Sequence, residues 1–339
     1  MKFFRCIFVL WAVVMLCGCS KEGAPEKGDA IALQPTLEGS VKTRASLCDD
    51  EIGLRDYRCH IYSYLYGSST LYFDSDLQYS DENQFDASTH KWSFHGAGGY
   101  KSYYWPLATS LDFFAIAPLP QPAPAPVYSS YVTVDQTSNP PTFAAQMPLN
   151  ATGEGDNQEN ITEVMCAYTP GKTSSQGAVP LEFKHPFAAI VFKVGQSHRD
   201  LTVNNIVIKD INYTGTCAID NSGNMSWNLG ADRGDLEFNI AKIIPGQVNF
   251  GAELCNPYLV LPQTNAGDDN KKTFTVECHW KGYDTADNTK TLTGTISNNW
   301  EASKVYIYTL DLGNSREEIL FKVTVAPWEY IYDHEFEIE

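Results

Sequence analysis

Apolar and polar side chains alternate in short runs along most of the chain. The last ten residues read YIYDHEFEIE, and every second side chain from Tyr330 onwards is aromatic, apolar or histidine, with acids prominent between them. This period-2 alternation predicts a half-buried β-strand. A strand needs a partner for its backbone groups, so the pattern raises the question of what this segment pairs with. The inward-facing candidates are Tyr330, Tyr332, Phe336 and Ile338.

Similar runs recur from residue 58 onwards, separated by turn-forming residues and without long helical periodicity. Many short strands of this kind are typical of β-sandwiches and not of βαβ units. The sequence therefore predicts an all-β fold. The predicted strands lie in 58–67, 69–76, 90–96, 101–118, 131–136, 161–169, 179–194, 201–211, 217–227, 256–263, 272–280, 290–297, 304–312 and 318–328.

An earlier run, 30–43, also has the pattern of a strand. Ile31, Leu33 and Leu37 share one face, while Pro35 interrupts the run. The run leads directly into Thr43-Arg44-Ala45. We expect a short strand here, because proline is tolerated at sheet edges but not in central strands.

Two local features are expected within the second half. The apolar phase of 179–194 slips by one residue around Pro186, which predicts a bulge or kink there. His185 lies inside that apolar run and is interpreted as a satisfied core residue, not a ligand. The stretch Asp220–Asn224 has the composition of a hairpin turn.

Length indicates the number of domains, and charge limits the kinds of partner that the protein can bind. A chain of 339 residues fits about two domains. The formal charge is −17 at pH 7, and residues 1–18 hold two basic residues, Lys2 and Arg5, and no acid. A chain so acidic lacks the basic patch that nucleic acid binding requires, so no nucleic acid partner is expected.

The N-terminus has the pattern of a targeting segment. A basic start and the apolar stretch 7–15 precede Leu16-Cys17-Gly18-Cys19. This spacing matches a bacterial lipobox, in which Cys19 is acylated, for example with palmitate, and becomes the first mature residue. An ordinary secretory signal that happens to contain cysteine is the alternative. Membrane association is expected through the lipid alone, because the apolar stretch is too short to span a bilayer.

Reactive chemistry is not evident in the sequence. The catalytic, phosphate-binding and calcium-binding motifs that we sought do not occur, so we expect no catalytic residues, no metal and no cofactor. One acidic stretch is interpreted as a solvated loop, with a site for a hard cation as the alternative: Asp74, Asp76, Asp81, Glu82 and Asp86. Cys278 shares strand parity with Phe274 and Val276 and is interpreted as a buried thiol. Six cysteines other than Cys19 remain after the signal segment and allow 15 pairings, which leaves the disulfide state open: Cys48, Cys59, Cys166, Cys217, Cys255 and Cys278.

Several stretches, taken together and in order, resemble the fimbrillin family, the subunits of type V pili. Each is loose alone, but they extend over nearly the whole mature chain. They are the lipobox at Leu16–Cys19, Thr43-Arg44-Ala45, YYWPLATSLDFFAIAP (103–118), VPLEFKHPFAAIVFKV (179–194), YLVLPQ (258–263), Trp300 with VYIYTLDLG (305–313), and VTVAPW (323–328).

The resemblance implies two transthyretin-like Greek-key β-sandwiches in tandem. It also implies that the protein is exported as a lipidated precursor. It divides the chain into a signal peptide (1–18), a propeptide with the first strand (19–44), an N-terminal sandwich (45–178) and a C-terminal sandwich (179–339). The resemblance further implies that a trypsin-like protease cuts between Arg44 and Ala45 and removes the first strand. By the same resemblance, we expect the C-terminal strand of another pilin subunit to fill the groove. This exchange would build a fimbria on the outer membrane that supports adhesion to a host or bacterial surface ligand.

Three alternatives stay open at this point. The first is that the last ten residues pair within their own domain and that Arg44 lies in a flexible tether. The second is that the protein is a monomeric surface lipoprotein that binds glycan through exposed aromatics, with Tyr103, Tyr104 and Trp105 as candidates. The third is that the protein is an enzyme, which no motif favours.

Overall fold

A computed structural model of the protein describes residues 28–37, 58–79, 92–96, 98–118, 131–151, 164–196, 200–245, 251–265, 267, 270–280, 289–312 and 319–328. Apart from one 3-10 turn at Ser174–Gln176, the regular structure of these ranges is β-strand. The predicted all-β fold is confirmed. In the same ranges we find no helix that is long and apolar enough to cross a membrane.

The first half of the chain contributes ten strands. They are β1 (Leu33–Leu37), β2 (Cys59–Leu65), β3 (Leu71–Tyr79), β4 (Trp92–Gly96), β5 (Gly99–Lys101), β6 (Leu111–Ala117), β7 (Val132–Asp135), β8 (Thr142–Gln146), β9 (Asn150–Ala151) and β10 (Met165–Lys172).

The second half contributes eleven. They are β11 (Val179–Phe183), β12 (Ala188–Gln196), β13 (Leu201–Asn212), β14 (Thr214–Ile219), β15 (Met225–Leu229), β16 (Arg233–Ile244), β17 (Tyr258–Val260), β18 (Lys272–Trp280), β19 (Thr289–Ile296), β20 (Lys304–Asp311) and β21 (Leu320–Pro327).

These strands form five sheets. A six-stranded sheet has the order β10-β6-β2-β3-β4-β5, and β1 pairs with β11 in a separate two-stranded sheet. The second half builds a four-stranded sheet, β17-β12-β20-β21, and four strands of a five-stranded sheet, β19-β18-β13-β16-β9, whose edge strand β9 comes from the first half. A further four-stranded sheet, β15-β14-β8-β7, takes two strands from each half.

Three apolar cores hold the sheets together. The N-terminal core lies between the six-stranded sheet and the β1–β11 pair, around Leu33, Phe113 and Leu181. The C-terminal core lies between the two larger sheets of the second half, around Phe192, with the ring centroid of Phe274 at 5.9 Å. The central core contains side chains from both halves of the chain and is covered by the four-stranded sheet β15-β14-β8-β7.

Strand β6 explains how two cores share one strand. All seven of its residues are buried. Phe113 faces the N-terminal core, and its neighbour Phe114 faces the central core. Because successive side chains of a strand point to opposite faces, a strand buried on both faces loses the alternation expected of a half-buried strand. All residues of β6 except Asp112 are accordingly apolar.

Several local predictions are confirmed. β11 ends at Phe183 and β12 begins at Ala188, which places the predicted break around Pro186. The 220–224 turn closes the β14–β15 hairpin, where the Asp220 amide donates to the Asn224 carbonyl (2.9 Å) and Gly223 adopts φ 78°. That positive φ favours glycine.

Two strands with clear alternation escaped the sequence interpretation. β16 buries Leu236, Phe238 and Ile240 at every second position. β8 buries Phe143 and Ala145 in the same way. Strand β10 also extends to Lys172, beyond the end of the strand predicted in 161–169.

Candidate functional site

Strand β1 closes the N-terminal core from one side. It pairs in parallel with β11, from Leu33 opposite Val179 to Leu37 opposite Phe183, and has no other strand partner in the described sheets. Ile31, Leu33 and Leu37 are only 5–6% exposed and belong to the N-terminal core. The strand and face predicted for these three residues are confirmed, and β1 is an edge strand whose side chains are core.

Pro35 lies within β1 without interrupting its pairing. The Val179 amide donates to the Ala32 carbonyl (2.9 Å). Because consecutive residues of a strand direct their backbone groups to opposite edges, Gln34 and Thr36 face β11 as Ala32 does, and Pro35 faces the other edge. The missing N–H of Pro35 therefore removes no hydrogen bond between β1 and β11.

The same logic places Pro180 on the far side of β11. Its carbonyl accepts a hydrogen bond from the Thr169 hydroxyl of β10 (2.6 Å). Beyond the strand, Lys184 and Cys166 exchange backbone hydrogen bonds of 2.8 and 3.0 Å. β11 is thus fixed to the six-stranded sheet independently of β1, so the groove that β1 occupies has a wall that does not depend on β1.

The N-terminal end of β1 is fixed by the segment before β6. The Trp105 amide donates to the Asp29 carbonyl (2.9 Å), and the Ile31 amide donates to the Tyr103 carbonyl (2.8 Å). A Cβ on Gly28 would lie 2.4 Å from the Trp105 carbonyl oxygen. The backbones approach so closely that only glycine fits at position 28.

The described chain ends beside the opposite end of the groove. The Trp328 indole stacks on the His185 ring, with centroids 4.4 Å apart and planes 15° apart. The Ser303 hydroxyl donates to the His185 carbonyl (2.9 Å). His185 follows β11 by two residues and is 3% exposed, which confirms its interpretation as a core residue. The chain beyond residue 328 therefore starts near the end of β11.

The processing and exchange residues that the sequence nominates lie outside the described residues. They stay predictions: Cys19 for acylation, Arg44 and Ala45 for cleavage, and Tyr330, Tyr332, Phe336 and Ile338 for the inserted face.

The aromatic triplet 103–105 contributes mainly to the core. Trp105 is 5% exposed and meets Phe113 edge-on, with centroids 5.8 Å apart. Tyr103 stacks on Phe73 at 3.9 Å. Tyr104 is partly buried, and its carbonyl accepts a hydrogen bond from the Tyr72 hydroxyl (2.8 Å). Trp105 and Tyr103 are therefore occupied by packing and do not form a free platform for sugar rings.

A buried carboxylate lies at the start of β6 and was not singled out by the sequence interpretation. Asp112 is 2% exposed. It accepts hydrogen bonds from the Gly171 amide (2.7 Å), the Gly67 amide (3.2 Å) and the Asn139 side chain (2.7 Å). Asn139 also donates to the Ser68 carbonyl (2.8 Å). An acid inside the apolar run LDFFAIA was the available signal, since buried carboxylates require partners.

The described cysteines are buried free thiols. Burial raises the pKa of Cys217, Cys255 and Cys278 to about 12, and raises the pKa of Cys59 and Cys166 well above the ordinary thiol range. The thiolate is the reactive form, so these groups are unreactive in the folded protein. The buried Cys278 confirms its interpretation, and Cys48 lies outside the described residues.

The acidic stretch begins in a strand and not in a loop, which corrects the sequence interpretation. Asp74 and Asp76 belong to β3. Asp76 accepts from Arg58 (3.4 Å) and lies 2.8 Å from the His60 Nδ1. In the ranges that the model covers, no three His, Cys, Asp or Glu side chains are arranged to hold a metal ion. Asp81, Glu82 and Asp86 are not among the described residues.

Comparison with known proteins identifies the family. A family model described as fimbrillin-like matches residues 53–328. The chain belongs to the fimbrillin-like family. A fimbrial protein from Bacteroides vulgatus ATCC 8482 is similar in structure, with TM-score 0.54 and 13% identity over 88% of this chain and 99% of that chain. The tip fimbrial protein Mfa3 from Porphyromonas gingivalis has TM-score 0.37 and 12% identity over 80% of this chain and 94% of that one. No curated protein matches.

The sequence resemblance to fimbrillins is thus confirmed. At 13% identity the Bacteroides vulgatus structure shows a shared fold alone. Family membership implicates this fimbrillin-like chain in fimbriae or adhesion at the cell surface. The matched range begins after β1 and ends at Trp328, so the two segments expected to exchange lie on either side of it.

Proposed function

We propose that this fimbrillin-like protein is a structural subunit of a cell-surface type V pilus that supports adhesion. It is exported as a lipoprotein acylated on Cys19 and anchored in the outer membrane. A trypsin-like protease cleaves after Arg44, and the subunit then polymerises with other pilin subunits by donor-strand exchange. Its role is structural and not enzymatic, in keeping with the family.

The attachment of β1 carries the proposal. β1 is an edge strand that pairs in parallel with β11, while β11 is separately bonded to β10. Burial of Ile31, Leu33 and Leu37 contributes about 5–9 kcal/mol at 1.5–3 kcal/mol per side chain. Ordering the backbone of residues 31–37 costs a similar amount, at about 1–2 kcal/mol per residue. Once cut from the following chain, β1 is held weakly enough to be exchanged.

The C-terminal segment has the side-chain pattern to replace β1. Its aromatic and apolar residues alternate with acids, and β1 likewise presents alternate residues to the core. An added strand supplies backbone hydrogen bonds for affinity, and its alternating side chains fix the register. The inserted face would consist of Tyr330, Tyr332, Phe336 and Ile338.

The donor strand of one subunit would enter the groove of another subunit. A head-to-tail contact of this kind does not close on itself and generates a fibre. One such contact for each subunit is sufficient. The presence of both the Arg44 site and the C-terminal strand favours a stalk or accessory subunit over a tip or an anchor.

The test is limited trypsin treatment of purified, lipid-free precursor that begins at residue 20. We expect one early cut after Arg44, followed by a ladder of oligomers on size separation. Arg44→Ala prevents both, whereas Lys42→Gln, two residues away, changes neither. N-terminal sequencing of the product locates the cut.

A second set of variants tests the donor strand. Phe336→Asn with Ile338→Asn abolishes the ladder, because both side chains lie on the inserted face. Glu335→Gln with Glu337→Gln, on the other face, leaves it intact. If cleavage after Arg44 is complete and the product stays monomeric, donor-strand exchange is refuted. That result would favour the alternative in which the last strand pairs within its own domain.

A further inference from the structure

Four large apolar side chains are exposed at one end of the N-terminal sandwich. They are Leu107 (76% exposed), Tyr66 (60%), Leu71 (40%) and Tyr72 (39%). These four residues form the apical patch. A group of exposed aromatic and aliphatic side chains marks an interaction surface more strongly than any of them would alone.

Hydrogen bonds show that the patch belongs to one end of the sheet. The Tyr66 amide, in the β2–β3 turn, donates to the Ser110 carbonyl just before β6 (3.0 Å). The Tyr72 hydroxyl, at the start of β3, donates to the Tyr104 carbonyl (2.8 Å). Leu107 lies between Tyr104 and Ser110 in the chain. The β2–β3 turn and the segment before β6 therefore form a single rim.

Strand β1 enters the sandwich at this same rim. The Asp29 carbonyl is bonded to the Trp105 amide, and Gly28 packs against the Trp105 carbonyl. Residues 20–27 lie between this point and the acylation site, so nine residue-to-residue steps join Cys19 to Gly28. A chain extends at most about 3.3–3.6 Å for each residue, so Cys19 lies within about 32 Å of Gly28. An acylated Cys19 would hold this end of the sandwich close to the membrane.

We infer that the apical patch rests on the lipid surface while the precursor is anchored. The inference rests on the proposed acylation of Cys19 and adds the orientation of the folded domain on the bilayer. Leucine enters the acyl boundary, and tyrosine places an apolar ring and a polar hydroxyl at the headgroup level. The patch thereby supplements one acyl chain, which alone gives marginal, reversible attachment.

The charge of the protein favours an apolar and not an electrostatic contact. The formal net charge is −17. Asp29 is exposed beside Trp105, and Asp135 is exposed at the end of β7, four residues before Asn139, which bonds to Ser68. Anionic headgroups would repel these acids. The lipid partner is therefore a neutral or zwitterionic surface, and binding to it is insensitive to salt.

The orientation has a consequence for maturation. Cleavage after Arg44 removes the acyl chain and frees β1, and both the tether and the patch then lose their hold on the bilayer. The second anchor is weak, so it assists orientation without preventing release of the subunit into a fibre.

The test uses the full acylated chain in phosphatidylcholine vesicles whose acyl chains carry bromine, a contact quencher of tryptophan. Leu107→Trp places a reporter in the patch, and Ile243→Trp is the matched control, 71% exposed on β16 of the C-terminal sandwich. Interfacial side chains reach about 5–10 Å into the headgroup boundary, so the added emission of L107W falls at least about twofold on bromination. The emission of I243W does not change. Differences are taken against the unsubstituted acylated chain, which begins at Cys19 and keeps six of the seven tryptophans of the full sequence.

The mass of the N-terminal peptide is measured on the same samples. If Cys19 is acylated but the emission of L107W is not quenched, the inferred membrane contact of the apical patch is wrong, while the lipid anchor still holds. An unacylated Cys19 removes the anchor and the inference with it. Unquenched L107W emission that shifts to the blue as the protein-to-lipid ratio rises shows that another copy of the chain covers the patch, which also overturns the inference.

Discussion

The His185 ring stacks on the Trp328 indole at 4.4 Å, which joins the end of β11 to the end of the described chain. This stack fixes the position of Trp328, the last described residue. The C-terminal segment starts beside the far end of the β1 groove, while β1 enters at the apical patch. In the proposed fibre, the donor therefore leaves one end of the subunit's own groove before it enters the groove of the next subunit.

A double-mutant cycle measures this stack. Trp328→Ala lowers the free energy of unfolding by about 3–5 kcal/mol, because it empties a buried site. His185→Ala costs less, and the two effects couple by about 0.5–1.5 kcal/mol if the rings attract each other beyond simple burial. Denaturant unfolding of the four proteins gives the coupling. Fully additive effects would show that the rings are merely neighbours.

Asp112 is expected to stabilise the apical end through its three hydrogen bonds. Asp112→Ala leaves the Gly67 and Gly171 amides and the Asn139 side chain without their acceptor, and costs about 3 kcal/mol. Asp112→Asn keeps one acceptor and costs less. Asp232→Asn, at an exposed site, stays within about 0.5 kcal/mol. Urea unfolding distinguishes the three, and equal effects of D112A and D232N would contradict the role of the network.

The backbone geometry of β1 makes an asymmetric prediction about proline. Gln34 directs its amide towards β11, whereas Pro35 faces the free edge. Gln34→Pro therefore removes a hydrogen bond between the strands and weakens the precursor by about 1–3 kcal/mol. Gln34→Ala is the control, because it keeps the amide at an exposed position. If both variants unfold at the wild-type midpoint, the deduced direction of the backbone groups is wrong.

Leu33 tests whether β1 belongs to the precursor alone. Leu33→Ala leaves a cavity in the N-terminal core and destabilises the intact precursor by about 2–5 kcal/mol. After trypsin has removed β1, wild type and variant have the same sequence and the same unfolding midpoint. A difference that persists after complete cleavage would show that β1 stays in its groove.

His95 predicts a pH dependence of stability. Desolvation, reinforced by Arg58 and opposed by Asp76, lowers the pKa of His95 below its ordinary value of 6.5. The unfolded chain therefore binds more protons than the native protein below that pH, and stability falls as the pH drops through 6.5. His95→Gln removes this contribution and gives a flatter profile between pH 7.5 and 5.5. Thermal melts across that range measure it, and parallel profiles for the two proteins would contradict the shift.

The alternation of side chains was sufficient to predict most strands, because a half-buried strand must expose one face and bury the other. It found the face of β1 and the buried Cys278. β6 was placed within a longer aromatic run, whose bounds the alternation could not give, because both of its faces are buried. β16 alternates clearly and was missed by the interpretation, not hidden by the sequence.

The sequence by itself determined the all-β class, the family resemblance, the hairpin at 220–224 and the segments nominated for exchange. Only the tertiary structure decided which strands pair. The parallel β1–β11 contact joins residues about 145 positions apart, and pairing at that distance is set by the packing of whole sheets and not by local preference. The same packing buries Asp112, where its carboxylate accepts hydrogen bonds, and buries Trp105 in the core. It also places Tyr66 and Leu107 at one exposed rim. Local pattern fixes which face of a strand is apolar, whereas the identity of the surface that covers this face depends on the whole fold.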